Sequence, residues 1–77
     1  MPAKKLSHKQ AYEMARQAGI KFTSDDPHAE LSTSDTVFMR GLAEKCGYRK
    51  SKNSSSSLST GALFYQLLYR EHKNGKF

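Results

Sequence analysis

The apolar residues of this chain fall into three short windows with helical spacing, and polar segments separate the windows. The chain has 77 residues, which is room for one domain with a thin core. Only 36% of the residues are hydrophobic, so the chain must gather them on a few helix faces to bury a core at all. The pattern predicts a mostly α-helical single domain of three helices over residues 1–77, rather than a disordered chain.

The first predicted helix runs from about Lys9 to Ala18. Ser7 is a suitable N-cap, and Gln10 stands at the position that completes a capping box. Gly19 is typical of the left-handed residue after a helix. The expected apolar face consists of small or flexible side chains at spacings of three and four residues, namely Ala11, Met14, Ala15 and Ala18. Ile20 and Phe22 are expected to follow into the core.

The second predicted helix begins near Asp35 and ends near Cys46, with Ser32 or Ser34 as its cap. Its residues predict a broad apolar face made of Val37, Phe38, Met39, Leu42, Ala43 and Cys46.

The third predicted helix runs from about Thr60 to Lys73, with Ser57 or Ser59 as its cap. It carries the apolar stripe Leu63, Phe64, Leu67 and Leu68, with Tyr65 and Tyr69 on its flank. This helix is the most hydrophobic segment and the expected centre of the core.

The polar segments predict loops and termini. Residues 23–34 are expected to form an acidic loop, in which Leu31 contacts the core, and residues 49–58 a basic, serine-rich loop. Residues 1–6 and 74–77 are expected to be flexible. One alternative stays open: extended segments at Ile20–Phe22 and Tyr48–Lys50 could pair, which would make the fold α+β with a short hairpin.

The charges of the chain are segregated along the sequence. Residues 1–23 carry five Lys or Arg against one Glu, a net charge of +4, whereas residues 24–35 carry four carboxylates and no Lys or Arg, a net charge of −4. Residues 36–77 carry eight basic residues against two Glu, a net charge of +6. Such a basic excess attracts nucleic acid, an anionic membrane or an acidic protein surface. Solubility alone is the competing interpretation.

The residues that usually carry chemistry do not form a recognisable constellation. Cys46 is the single cysteine, and no two of His8, His28, His72 and Cys46 stand at a short metal-binding spacing. The five glycines are too dispersed for a phosphate-binding loop. We therefore expect no enzyme activity, no metal and no cofactor. With no signal peptide, no apolar stretch long enough for a membrane and no disulfide, we expect a cytoplasmic protein.

The candidate binding site is the basic segment Arg49, Lys50 and Lys52, with Asn53 beside it. Lysine and arginine neutralise phosphates, serine and asparagine donate hydrogen bonds to them, and the N-terminus of the third helix follows. Further basic residues are expected to support this site: Lys4, Lys5, Lys9, Lys21 and Arg40. The predicted function is binding of nucleic acid, DNA rather than RNA, through the phosphate backbone.

A helix-turn-helix is not predicted. Residues 42–48 resemble the first helix and turn of that motif, but residues 50–57 contain no apolar residue to anchor a second helix. The rival functional hypothesis is a small accessory or inhibitor protein that docks on another protein through its charged loops. Homodimerisation through the third helix is a further option.

Overall fold

The computed structural model describes residues 5–49 and 58–77, and over these residues the chain forms four helices and no strand. The helices are α1 (His8–Gln17), α2 (Pro27–Glu30), α3 (Thr33–Lys45) and α4 (Thr60–Lys73). The mostly helical fold is thus confirmed, and the bounds of α4 agree with those predicted. The hairpin alternative is not supported, because neither residues 20–22 nor the described residues 48–49 form a strand.

The helix that the sequence did not predict is α2, a single turn inside the expected acidic loop. Its start follows from two neighbouring residues. The Asp26 side chain caps the turn by accepting a hydrogen bond from the His28 N–H (3.0 Å). Pro27 occupies the first helical position, where its missing N–H costs nothing. A proline after an aspartate was therefore a helix start here, not only a barrier to helix at the residue before it.

Serine side chains cap the three longer helices. Ser7 and Gln10 form the predicted capping box of α1, and Ser32 caps α3 together with Asp35, so that α3 begins two residues earlier than predicted. Ser59 caps α4. At the other ends, Gly19 and Gly47 take the positive φ values predicted for helix stops, 96° and 77°.

The core lies mainly between α3 and α4, with α1 and α2 packed against this pair. The helices approach most closely at Gly61, where a Cβ atom would lie 2.3 Å from the carbonyl oxygen of Thr36. Only a glycine permits that separation. The buried apolar residues are Ala11, Tyr12, Ala15, Ile20, Met39, Leu42, Ala43, Ala62, Phe64, Tyr65 and Leu68. Phe22 and Leu31 are half-buried against this cluster.

Three side chains that the sequence analysis placed on core faces are exposed instead. Val37 and Phe38, predicted on the core face of α3, are 65% and 38% exposed. Ala18, predicted on the core face of α1, is also exposed. Val37 stands about 200° around the helix from Met39, so a helix that buries Met39 turns Val37 toward solvent.

Tyr65 was expected on the flank of its helix but is fully buried. Its hydroxyl donates to the carbonyl oxygens of Lys21 (3.0 Å) and Ser24 (2.6 Å), and its ring stacks on Phe22 with centroids 4.8 Å apart. Burial, with Glu30 adding to it, raises the pKa of Tyr65 to about 12. The residue thus ties the segment after α1 to α4.

Parts of both termini contact the domain. The Leu6 N–H donates to the Lys45 carbonyl oxygen (3.1 Å), and the Phe77 ring lies 5.3 Å from that of Tyr12. His8 Nδ1 lies 2.5 Å from Oε1 of Glu71, a nearly buried carboxylate of α4. Leu6 and Phe77 are therefore held against the helices by specific contacts, whereas residues 1–4 lie outside the described residues.

Candidate nucleic-acid interface

A cleft of about 550 Å³ lies between the end of α3 and the start of α4. We call it the α3–α4 cleft and define it by its lining residues: Arg40, Glu44, Gly47, Tyr48, Arg49 and Thr60. It contains two of the basic residues that the sequence analysis selected, Arg49 and Arg40. The first was the centre of the predicted site and the second a support.

The local sequence explains why these residues meet. Gly47 ends α3 with a positive φ, so the chain turns back toward the helix pair. Tyr48 then packs its ring against Phe64 of α4, with centroids 5.2 Å apart. That contact fixes the position of Tyr48. The next residue, Arg49, lies in the same cleft as Arg40 of α3.

The N-terminus of α4 adds hydrogen-bond donors to the cleft. Two N–H groups of the first helical turn already have acceptors: the Ala62 N–H donates to the Ser59 side chain (3.3 Å), and the Leu63 N–H donates to the Ser59 carbonyl oxygen (3.0 Å). Thr60 lines the cleft, and its own N–H has no acceptor among residues 5–49 and 58–77. Free N–H groups and the positive end of the helix dipole favour an anion at this position.

The cleft has an excess of positive charge. Arg40 Nε lies 3.7 Å from Glu44 Oε1, and both side chains are about two-thirds exposed, so water weakens this pair. Arg49 is exposed and forms no ion pair with any carboxylate in the described parts of the chain. Lys5 lies at the edge, with its Nζ 3.2 Å from the place where a Cβ on Gly47 would stand.

Two further clefts lie along α1 and contain two more of the predicted basic residues. The first, which we call the aromatic cleft, has a volume of about 510 Å³ and is lined by Lys9, Tyr12, Glu13, Arg16, Gln17, His72 and Phe77. The adjoining cleft, about 480 Å³, shares Tyr12 and Arg16 with it and contains Lys21. Lys9 and Lys21 therefore line two adjoining clefts along α1, not the cleft of Arg49.

The remaining predicted site residues are Lys4, Lys50, Lys52 and Asn53, which lie outside the described residues. Sequence reasoning missed Thr60, Arg16 and the aromatic residues of the second site. Arg16 follows Lys9 by seven residues, two helical turns, which places both on one side of α1. That spacing was the available signal.

The described residues contain no metal-ligand cluster. Among residues 5–49 and 58–77, no group of three His, Cys, Asp or Glu side chains converges as metal ligands would. Burial, with Glu71 adding to it, raises the pKa of the Cys46 thiol, which disfavours the nucleophilic thiolate. Over the same residues, no helix has the length and apolar character needed to span a bilayer. The expectation that the chain is not an enzyme stays a prediction.

The chain matches no family model, no curated protein and no solved structure.

Proposed function

We propose that this protein binds nucleic acid, DNA in the first place, through contacts of the α3–α4 cleft with the phosphate backbone. The observation that carries the proposal is the meeting of Arg40 and Arg49 beside the N-terminus of α4. Cationic side chains and free helix N–H groups are two independent features that both favour phosphate. We further propose a cytoplasmic location, since a lone thiol at Cys46 suits a reducing compartment.

The neighbouring sequence supports the same assignment. In the sequence, Lys50 and Lys52 stand one and three residues after Arg49. Lys5 stands at the cleft's edge. Contacts of this kind set affinity and its salt dependence rather than sequence specificity, so we expect binding with little preference among base sequences.

The test is a salt titration of duplex binding with paired variants. The double substitution Arg40→Gln/Arg49→Gln removes two cations from the α3–α4 cleft. The matched control Arg70→Gln/Lys73→Gln removes two exposed cations from the far end of α4, where they line none of the clefts above. If both arginines contact phosphate, the slope of log K against log salt becomes shallower by about 2 for the first variant.

The control variant should keep most of the wild-type slope. Equal slopes and equal affinities for the wild-type protein and the Arg40→Gln/Arg49→Gln variant would contradict the proposed site. A companion variant that neutralises Arg49, Lys50 and Lys52 together extends the same comparison to the basic segment as a whole. It should weaken binding further and flatten the salt dependence more.

Docking on another protein is the second candidate function, and the exposed side chains of Val37 and Phe38 favour it.

The homodimer proposed through the third predicted helix has less exposed apolar surface to use, because α4 buries Phe64, Tyr65 and Leu68 within the chain. Sedimentation of the wild-type protein and of Val37→Ser tests self-association. A concentration-dependent dimer that Val37→Ser abolishes would support a contact between copies through α3.

A further inference from the structure

The aromatic cleft is built around the Tyr12 ring. The His72 ring stacks on it with centroids 4.6 Å apart and an interplanar angle of 11°. Phe22 and Phe77 lie 4.5 Å and 5.3 Å from it in tilted arrangements. Tyr12 itself is only 8% exposed, whereas His72 is exposed and Phe77 half-buried. The ring surfaces that the cleft offers to a ligand are therefore those of His72 and Phe77.

Cationic side chains surround these rings. Lys9 and Arg16 line the aromatic cleft, and the guanidinium of Arg16 lies 5.9 Å from the Tyr12 ring centroid. Lys21 lines the adjoining cleft. Glu13 is the one carboxylate in the aromatic cleft's lining, and neither Lys9 nor Arg16 forms an ion pair in the described parts of the chain. The site thus combines exposed ring surface with cations that form no ion pair among the described residues.

We propose that the aromatic cleft binds unpaired bases of single-stranded nucleic acid, which stack on His72 and Phe77 while Lys9 and Arg16 contact the flanking phosphates. This inference rests on the proposed nucleic-acid binding. It adds a second site and specifies single-stranded nucleic acid as the ligand there. Aromatic rings with a basic rim are the usual means of binding single strands, because every base has a face to stack. A duplex keeps those faces covered by neighbouring base pairs.

The two sites lie toward opposite ends of α4. Thr60 at the α3–α4 cleft and His72 at the aromatic cleft are twelve residues apart on α4, which is about 18 Å. Lys5 stands at the edge of the first cleft, and Lys9 lines the second. At about 3.4 Å per nucleotide, five or six stacked nucleotides span this distance. A strand of about 12 nucleotides therefore reaches both sites.

The test compares two probes of the same sequence, a labelled single strand of about 12 nucleotides and its duplex, at one fixed salt concentration. Phe77→Leu removes a ring and keeps an apolar side chain in its place. The control Tyr69→Leu removes a half-buried ring of α4 that lines no cleft described above. We expect Phe77→Leu to weaken single-strand binding by about fivefold or more, with duplex binding and the control variant unchanged.

The outcomes separate this inference from the proposed function. Wild-type protein that binds only the duplex, or Phe77→Leu that weakens both probes equally or neither, overturns the inference and leaves the proposed function standing. Wild-type protein that binds neither probe overturns both. If Phe77→Leu loses its helical circular dichroism, the exposed His72→Leu takes its place. Quenching of a 2-aminopurine base in the single strand, lost in the variant, reports stacking directly.

Discussion

Substituting Gly61 by alanine tests the helix pairing on which the whole domain depends. A Cβ at this position would lie 2.3 Å from the Thr36 carbonyl oxygen and 3.0 Å from the Arg40 backbone nitrogen. Ordinary contact needs about 1 Å more than the first distance. Because both neighbours are backbone atoms of α3, no side chain can rotate away, and the two helices must separate. Overpacking of this kind typically costs 1–3 kcal/mol, and a backbone clash belongs at the upper end, about 3 kcal/mol.

Alanine also favours helix over glycine by about 1 kcal/mol, so the net loss for Gly61→Ala is about 2 kcal/mol. That is a large fraction of the roughly 4–12 kcal/mol expected for a domain of this size. Gly41→Ala is the matched control: this glycine is also inside a helix, and a Cβ there meets nothing within 4 Å. It should stabilise the protein by about 0.5–1 kcal/mol.

Urea unfolding followed by far-ultraviolet circular dichroism measures both variants. Gly61→Ala should lower the unfolding midpoint, and Gly41→Ala should raise it. If Gly61→Ala is as stable as the wild-type protein, α3 and α4 do not approach as closely as described. Because Thr60 and Arg40 line the α3–α4 cleft, the same helix separation should also weaken duplex binding at equal salt.

Three further predictions concern single side chains. Tyr65→Phe should lose about 1–2 kcal/mol of stability with its two hydrogen bonds. In the wild-type protein the raised pKa, about 12 against 10.0, means that stability is complete below pH 10 and falls as the pH approaches 12; unfolding of the variant should show a flatter pH dependence there. His8→Leu should cost about 1–2 kcal/mol because it leaves the Glu71 carboxylate without its hydrogen-bond donor, whereas Glu71→Gln, which keeps an acceptor, should cost less in the same unfolding assay. Ser32→Ala should cost about 1 kcal/mol by removing the cap of α3, and unchanged thermal unfolding would contradict that role.

Local signals in the sequence predicted most of the fold. Ser7 with Gln10, and Gly19 with Ile20, each act through hydrogen bonds between residues no more than five apart. Such signals determine where helices start and stop regardless of the rest of the chain, and the predicted helix ends agree with the observed ones within about two residues. The single turn α2 was missed because Asp26 and Pro27 also suit a loop.

The pairing of side chains across the domain could not be read from the sequence. His8 and Glu71 are 63 residues apart, and the Tyr65 hydroxyl bonds to carbonyls more than 40 residues away. The α3–α4 cleft was predicted in part, because the basic residue Arg49 and the N-terminus of α4 follow each other in the sequence. The aromatic cleft was not, since Tyr12 and His72 come together only through packing of α1 on α4.

The placement of the carboxylates explains how a chain with a net charge of only +6 keeps its cations available. Five of its seven carboxylates accept a hydrogen bond from, or form an ion pair with, a group in the described residues: Asp26, Glu30, Asp35, Glu44 and Glu71. Of these partners only one, Arg40, is a lysine or arginine, and its pair with Glu44 is exposed. The others are backbone N–H groups, a hydroxyl and a histidine. The acidic side chains thus cap and connect helices. Apart from Arg40, the basic side chains that line the α3–α4 cleft and the aromatic cleft form no ion pair among the described residues, which leaves them available to an external polyanion.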